Sequence, residues 1–142
     1  MDKQAIIDRA VAYKASGNFN CAQAVACAFA DRLQVDADTL YNSGNAFGRG
    51  MGCMQATCGA LVGAGIALGY ATHDRQAAMK AMAEIHTRFQ QQNGATICRA
   101  LKGIGTGKPL RSCPGCVADA ASFLADILEN RDNITKEQPP IV

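Results

Sequence analysis

Seven cysteines stand in this chain of 142 residues: Cys21, Cys27, Cys53, Cys58, Cys98, Cys113 and Cys116. A thiolate attacks disulfides and ligates soft metals, whereas a protonated thiol does neither well, so position decides what each can do. Three of them fall where a helix is expected to begin. Cys21 follows Asn20, Cys98 follows Thr96, and Cys113 precedes Pro114. Free amides and the positive end of the helix dipole stabilise a thiolate at such places. Cys58 is expected inside a helix, beside Gly59, Ala60 and Gly63, whose small side chains let another helix or another thiol come close. Taken singly, each of these is an ordinary buried cysteine. Three at helix starts and a fourth in a small-residue segment point instead to shared chemistry.

Cys113-Pro114-Gly115-Cys116 is a C-x-x-C at a helix start. Thioredoxin-like proteins use that local geometry after a strand, and no strand is expected here. The same motif could supply half of a zinc site, but no second C-x-x-C is present to complete it. Cys113 reads as the attacking thiol, because Pro114 and Gly115 leave its helix end open. Cys116 is its nearest resolving partner and Cys58 the deeper alternative. Cys27 follows Cys21 by six positions, which places it about 120° away around a helix and suits core packing. Cys53, where a glycine-rich turn enters the next helix, is left open. His73 and His86 read as ordinary edge or surface residues. "GRGMG", residues 48–52, lacks a preceding strand and reads as a turn permitting close backbone approach, not as a phosphate loop.

The elements that must position these thiols are helical. Residues 2–15 form a first helix capped by Asp2 and stopped by Gly17. A second runs from a cap at Asn18 or Asn20 to Leu33, and a third from Asp36 or Asp38 to about Phe47. The small-residue segment gives a fourth over about 53–69, and residues 74–92 a fifth, ended by Gly94. "ATICRALKG" makes one or two turns capped by Thr96, and residues 113–131 the last helix. The apolar residues recur at helical spacing throughout, and no run alternates as a strand does. The expected fold is all-α, a compact bundle of about five longer helices plus one or two short ones. One domain spans 1–130, with 131–142 as a flexible tail.

Composition narrows the function. Apolar residues make up 49% and charged residues 18%, which excludes a disordered chain. A net charge of +2, eight aromatics and no Trp argue against nucleic acid. The stretch over 50–72 is long enough for a membrane span, but its many glycines fit a buried helix better. "MDKQAIIDRAVAYKASG" carries charges where a signal peptide needs an apolar core. The protein is therefore expected in the cytoplasm, where an odd number of cysteines argues against a disulfide framework.

The order Cys21, "FGRGMG", then Cys58-Gly59-Ala60-Leu61-Val62-Gly63, then Cys98-Arg99, then Cys113 followed by Val117 resembles the C-GCAxxG-C-C family, small redox-active proteins of bacteria and archaea. The resemblance covers about residues 17–128. It implies that Cys21, Cys58, Cys98 and Cys113 are the family positions, with Cys27, Cys53 and Cys116 outside that set. Related domains occur in split-Soret-type cytochromes, which bind haem and an iron–sulfur centre. This chain has no Cys-x-x-Cys-His, so covalent c-type haem is disfavoured.

Three readings follow. In the first, a thiol–disulfide redox protein uses Cys21, Cys58, Cys98, Cys113 and Cys116 against a small thiol, a protein disulfide or an electron carrier. In the second, Cys21, Cys58, Cys98 and Cys113 hold an iron–sulfur cluster or zinc in an electron-transfer module. In the third, the cysteines are inert parts of a structural bundle. A second copy of the chain is left open as a partner.

Overall fold

Asp2, Asn20, Asp36 and Asp74 each cap a helix with a side-chain oxygen, a contribution of about 1 kcal/mol apiece. The computed structural model describes the backbone of residues 1–137 and the side chains of residues 1–132. Eight α-helices lie among them: α1 (Lys3–Ala15), α2 (Cys21–Ala28), α3 (Ala30–Leu33), α4 (Ala37–Ser43), α5 (Gly59–Thr72), α6 (Arg75–Asn93), α7 (Cys98–Lys102) and α8 (Cys113–Glu137). The fold is all-α, and the only β pairing among the described residues is an isolated antiparallel bridge between Thr57 and Ile97. No helix among them is long and apolar enough to cross a membrane.

Several boundaries differ from those read in the sequence, among them the end of the third helix at Ser43, not Phe47, and that of the fourth at Thr72, not residue 69. The expected second helix breaks at Phe29, whose φ of −97° and ψ of 6° leave the helical range while its ring is fully buried. The fourth helix starts at Gly59 and not near Cys53, because the Cys58 amide donates to the Thr96 carbonyl (2.8 Å) across the bridge. Thr96 therefore caps nothing, and Ile97 is the residue that precedes α7. The last helix continues through Glu137, into the segment expected as a tail. After Pro114 in its first turn, no proline falls within the described length of this helix. Residues 138–142 of that expected tail lie outside the described residues.

Helix α2 is the centre of the bundle, with all eight of its residues buried. It packs against α1, α4, α5 and α8, while α5 also meets α6 and α8. Phe29, Leu61, Leu68, Ile85, Phe89, Val117, Leu124 and Leu128 form the core, at about 1.5–3 kcal/mol for each large side chain removed from water. The glycines of α5 set how near α2 can come. A Cβ on Gly59 would lie 2.7 Å from the Phe47 carbonyl oxygen and 3.3 Å from the Cys21 Cβ. One on Gly63 would lie 2.4 Å from the Ala22 carbonyl oxygen. The small residues of the segment thus bring two backbones into contact at the cysteine-bearing ends.

Between α4 and α5 the chain makes an unusual turn. Arg49, Gly50, Met51 and Gly52 are consecutively left-handed, with φ of 53°, 58°, 62° and 76°, and Met54 follows at 65°. Each non-glycine residue there costs about 1–2 kcal/mol. Gly50 is irreplaceable for a second reason: a Cβ would sit 2.6 Å from the Cys98 Cβ. The turn is closed by the amide of Gly52 donating to the Gly48 carbonyl and that of Met54 donating to Arg49, both at 2.8 Å.

Candidate functional site: thiols gathered at four helix starts

Each cysteine of the proposed set is placed by a local device. Asn20 and Gln23 form a reciprocal capping box that starts α2 at Cys21. The Thr57–Ile97 bridge ties the start of α5 to the start of α7, with the Cys58 amide donating to Thr96 (2.8 Å) and the Cys98 amide donating to Ala56 (3.0 Å). The Ser112 hydroxyl accepts from the Gly115 amide (3.1 Å) and its carbonyl from the Cys116 amide (2.9 Å), so α8 opens at Cys113. Cys58 is not mid-helix as expected. It is the residue immediately before α5, so all four family cysteines stand at helix starts.

Cys21, Cys58, Cys98, Cys113 and Cys116 line one cavity of about 40 Å³. Cys113 is half-buried and the other four are buried. All seven cysteines are free thiols. Cys27 does not line the cavity. It is buried with its sulfur 4.0 Å from the Ala37 carbonyl oxygen, and burial pushes its pKa up to about 11. Cys53 is exposed on the left-handed turn, its thiol directed at the Gly50 carbonyl (3.5 Å), and lies outside the cavity lining. His73 ends α5 in a left-handed conformation and His86 is exposed; neither lines the cavity.

The cavity separates its thiols by charge state. Cys58 is lowered to about 7, first by hydrogen bonding with Cys116, then against burial by the amides of Ala60 and Leu61 and by Lys102. Cys116 moves the opposite way, raised by that same hydrogen bond and by burial. Within this pair Cys58 is the anion and Cys116 the donor. The backbone explains the choice: Cys58 faces the free amides opening α5, whereas Cys116 lies within α8 and its own amide is already bonded to Ser112. Burial, then the neighbouring Cys58, pushes Cys21 up to about 12. Burial likewise raises Cys98. The sequence reading expected helix starts to favour thiolates at Cys21 and Cys98, and here desolvation wins. A dipole end is worth about 0.3–1 kcal/mol, against several for taking an ion out of water.

Lys14, Arg49, Lys102 and Arg111 also line the cavity, and no acidic residue does. Sequence reasoning missed these four as site residues. The signal available was Arg49 inside "GRGMG" and Arg111 two residues before Cys113. Arg111 is fixed by two bonds to Asp119, from Nε (3.0 Å) and Nη2 (3.1 Å). Asn93 donates to the same carboxylate at 3.1 Å. The guanidinium lies across the C-x-x-C glycine, where a Cβ on Gly115 would be 2.5 Å from Nε. Among the described residues no group of three or more His, Cys, Asp or Glu side chains is arranged to hold a metal ion.

An all-α bundle with five thiols and four cations around one cavity defines a small helical cysteine-cluster protein. A match to the family described as "Putative redox-active protein (C_GCAxxG_C_C)" covers residues 19–127, and the chain belongs to that family. No curated protein and no solved structure matches it. The family hexapeptide, here Cys58 to Gly63, acquires a physical meaning. Cys58 opens the helix, and Gly59 and Gly63 make room for α2.

Proposed function

We propose that the protein is a cytoplasmic thiol–disulfide redox protein whose working couple is Cys58 and Cys116, with Cys113 as the thiol that meets the external partner. The observation that carries this reading is that Cys58 and Cys116 are both buried in the lining of one cavity whose one half-buried thiol is Cys113, with Cys58 lowered and Cys116 raised by their mutual influence. Exchange proceeds by three displacements. The Cys113 thiolate attacks an external disulfide, forms a mixed disulfide and releases one external thiolate. Cys116, one helical turn on, passes its proton to the neighbouring Cys58 thiolate, attacks the Cys113 sulfur as a thiolate and releases the second external thiolate, which takes that proton from Cys58. The Cys58 thiolate then attacks the Cys116 sulfur, closing Cys58–Cys116 and restoring Cys113. Two electrons pass from the protein to the external disulfide. The Cys116 proton leaves on one of the two external sulfurs, and the other departs as thiolate. The sequence runs equally in reverse, as all thiol–disulfide exchange does. Cys21 and Cys98 stay protonated and bound the cavity.

The test equilibrates the protein in thiol–disulfide buffers of graded poise, quenches with alkylating agent and maps the linkages by mass spectrometry. A reversible Cys58–Cys116 disulfide is expected. It should form more slowly in Cys113→Ser and be abolished in Cys58→Ser and in Cys116→Ser. Unchanged redox behaviour in the Cys58 and Cys116 variants, or no reversible disulfide within the cluster, refutes the proposal.

A further inference from the structure

We infer that the external partner is a low-molecular-weight thiol–disulfide pair bearing carboxylates, selected by Lys14, Arg49 and Lys102. This rests on the redox reading above and adds the class of substrate. The chain carries a net charge of only +2, so four cations and no acid at one small cavity are a local concentration. Arg111 is neutralised by Asp119. Lys14, Arg49 and Lys102 form no ion pair among the described residues, so no carboxylate of the chain meets their charge as Asp119 meets that of Arg111.

The three free cations come from three separate elements: α1, the left-handed turn and α7. Arg49 is held at the cavity in a strained backbone conformation (φ 53°), and strain of that kind persists where surrounding structure and function demand it. A single thiolate at Cys58 balances one of the three and leaves two without a counter-charge. Two carboxylates on a partner supply what is missing. Size argues for a small molecule: four of the cavity's five thiols are buried and only Cys113 is half open to a partner. A low-dielectric cleft of one sign concentrates oppositely charged substrate.

The experiment uses three compact disulfides of different charge: dithiodipropionate (anionic), hydroxyethyl disulfide (neutral) and cystamine (cationic). The rate at which each oxidises the reduced protein is divided by its rate with free mercaptoethanol, which removes intrinsic reactivity. The expected order is anionic, neutral, cationic, with the anionic favoured over the neutral by about tenfold or more. The preference should shrink in high salt and in the Lys14→Gln/Arg49→Gln double variant. The pH dependence of thiolate absorbance, followed in parallel, tells loss of selection from a change in thiol ionisation. Equal normalised rates for the three, a cationic preference, or a preference that the double variant leaves intact overturns the inference while the redox reading stands. Failure of all three disulfides to oxidise Cys58 and Cys116 defeats both.

Discussion

Gly63 of α5 lies against Ala22 of α2 so closely that a Cβ would sit 2.4 Å from the Ala22 carbonyl oxygen. That oxygen belongs to backbone inside a fully buried helix and cannot swing aside. Gly63→Ala would gain about 1 kcal/mol of helix propensity. It would lose about 1–3 kcal/mol through overpacking, and more where the backbone cannot yield. The clash wins. Thermal unfolding should show a melting temperature lower by about 5 °C, whereas a Gly69→Ala change, with open space at that site, should not lower it.

The thiol pKa values fix how stability responds to pH. Between about 7 and its ordinary value of 9.0, Cys58 has lost its proton in the folded state and kept it in the unfolded state. The folded state then binds fewer protons, and stability rises with pH across that window. Cys21, Cys27, Cys98 and Cys116 are raised, so their contribution is present below 9.0 and lost as pH climbs past it. Denaturant midpoints of the reduced protein should climb from pH 7 to about 9 and then decline. The Cys58→Ser variant should lack the climb.

Cys116 acts on Cys58 through one hydrogen bond, the largest influence on that thiolate. In Cys116→Ala the donor is gone and burial acts with less opposition. The ultraviolet absorbance of the reduced protein should show a thiolate titrating near pH 7. Its midpoint should move up in Cys116→Ala. A midpoint that stays near 7 in that variant would mean that the helix start alone sets the ionisation.

Asp119 is buried and shared by Arg111 and Asn93. Arg111→Gln would remove its charge partner and leave a buried carboxylate only partly satisfied, at about 1–3 kcal/mol. Arg111 is itself substantially exposed, which places the loss toward the low end. Chemical denaturation should show a reduced midpoint with an unchanged slope, and Asp119→Asn in the same background should recover part of it.

Legibility followed the physics of each element. The caps were legible to within two residues, Asp2 directly, Asn20 and Asp36 each beside one alternative, Asn18 and Asp38, because one side chain and its own downstream amides suffice. The start of α5 could not, since it is set by hydrogen bonds from residues 56–58 to residues 96–98. Nothing local in "CMQATC" reveals a partner some forty positions away. The left-handed turn was legible at Gly50 and Gly52 only; Arg49, Met51 and Met54 take the same conformation without any glycine to announce it. The ordering of the thiols by acidity also escaped the sequence. Position at a helix start was visible for Cys21 and Cys98, but the burial that outweighs it belongs to the assembled bundle.

Four helix starts facing one small space carry a consequence for electron flow. Their positive ends repel one another, and the Cys58 anion is the charge that reconciles them. In the proposed Cys58–Cys116 couple, oxidation to a disulfide discharges that anion, so the free energy it lends to the reduced fold is forfeited at that step. Around a thermodynamic cycle, the same quantity must reappear as a greater tendency of the disulfide to take electrons back. In that proposed couple, the disulfide's pull on electrons and the bundle's preference for one negative sulfur are a single free energy seen from two sides.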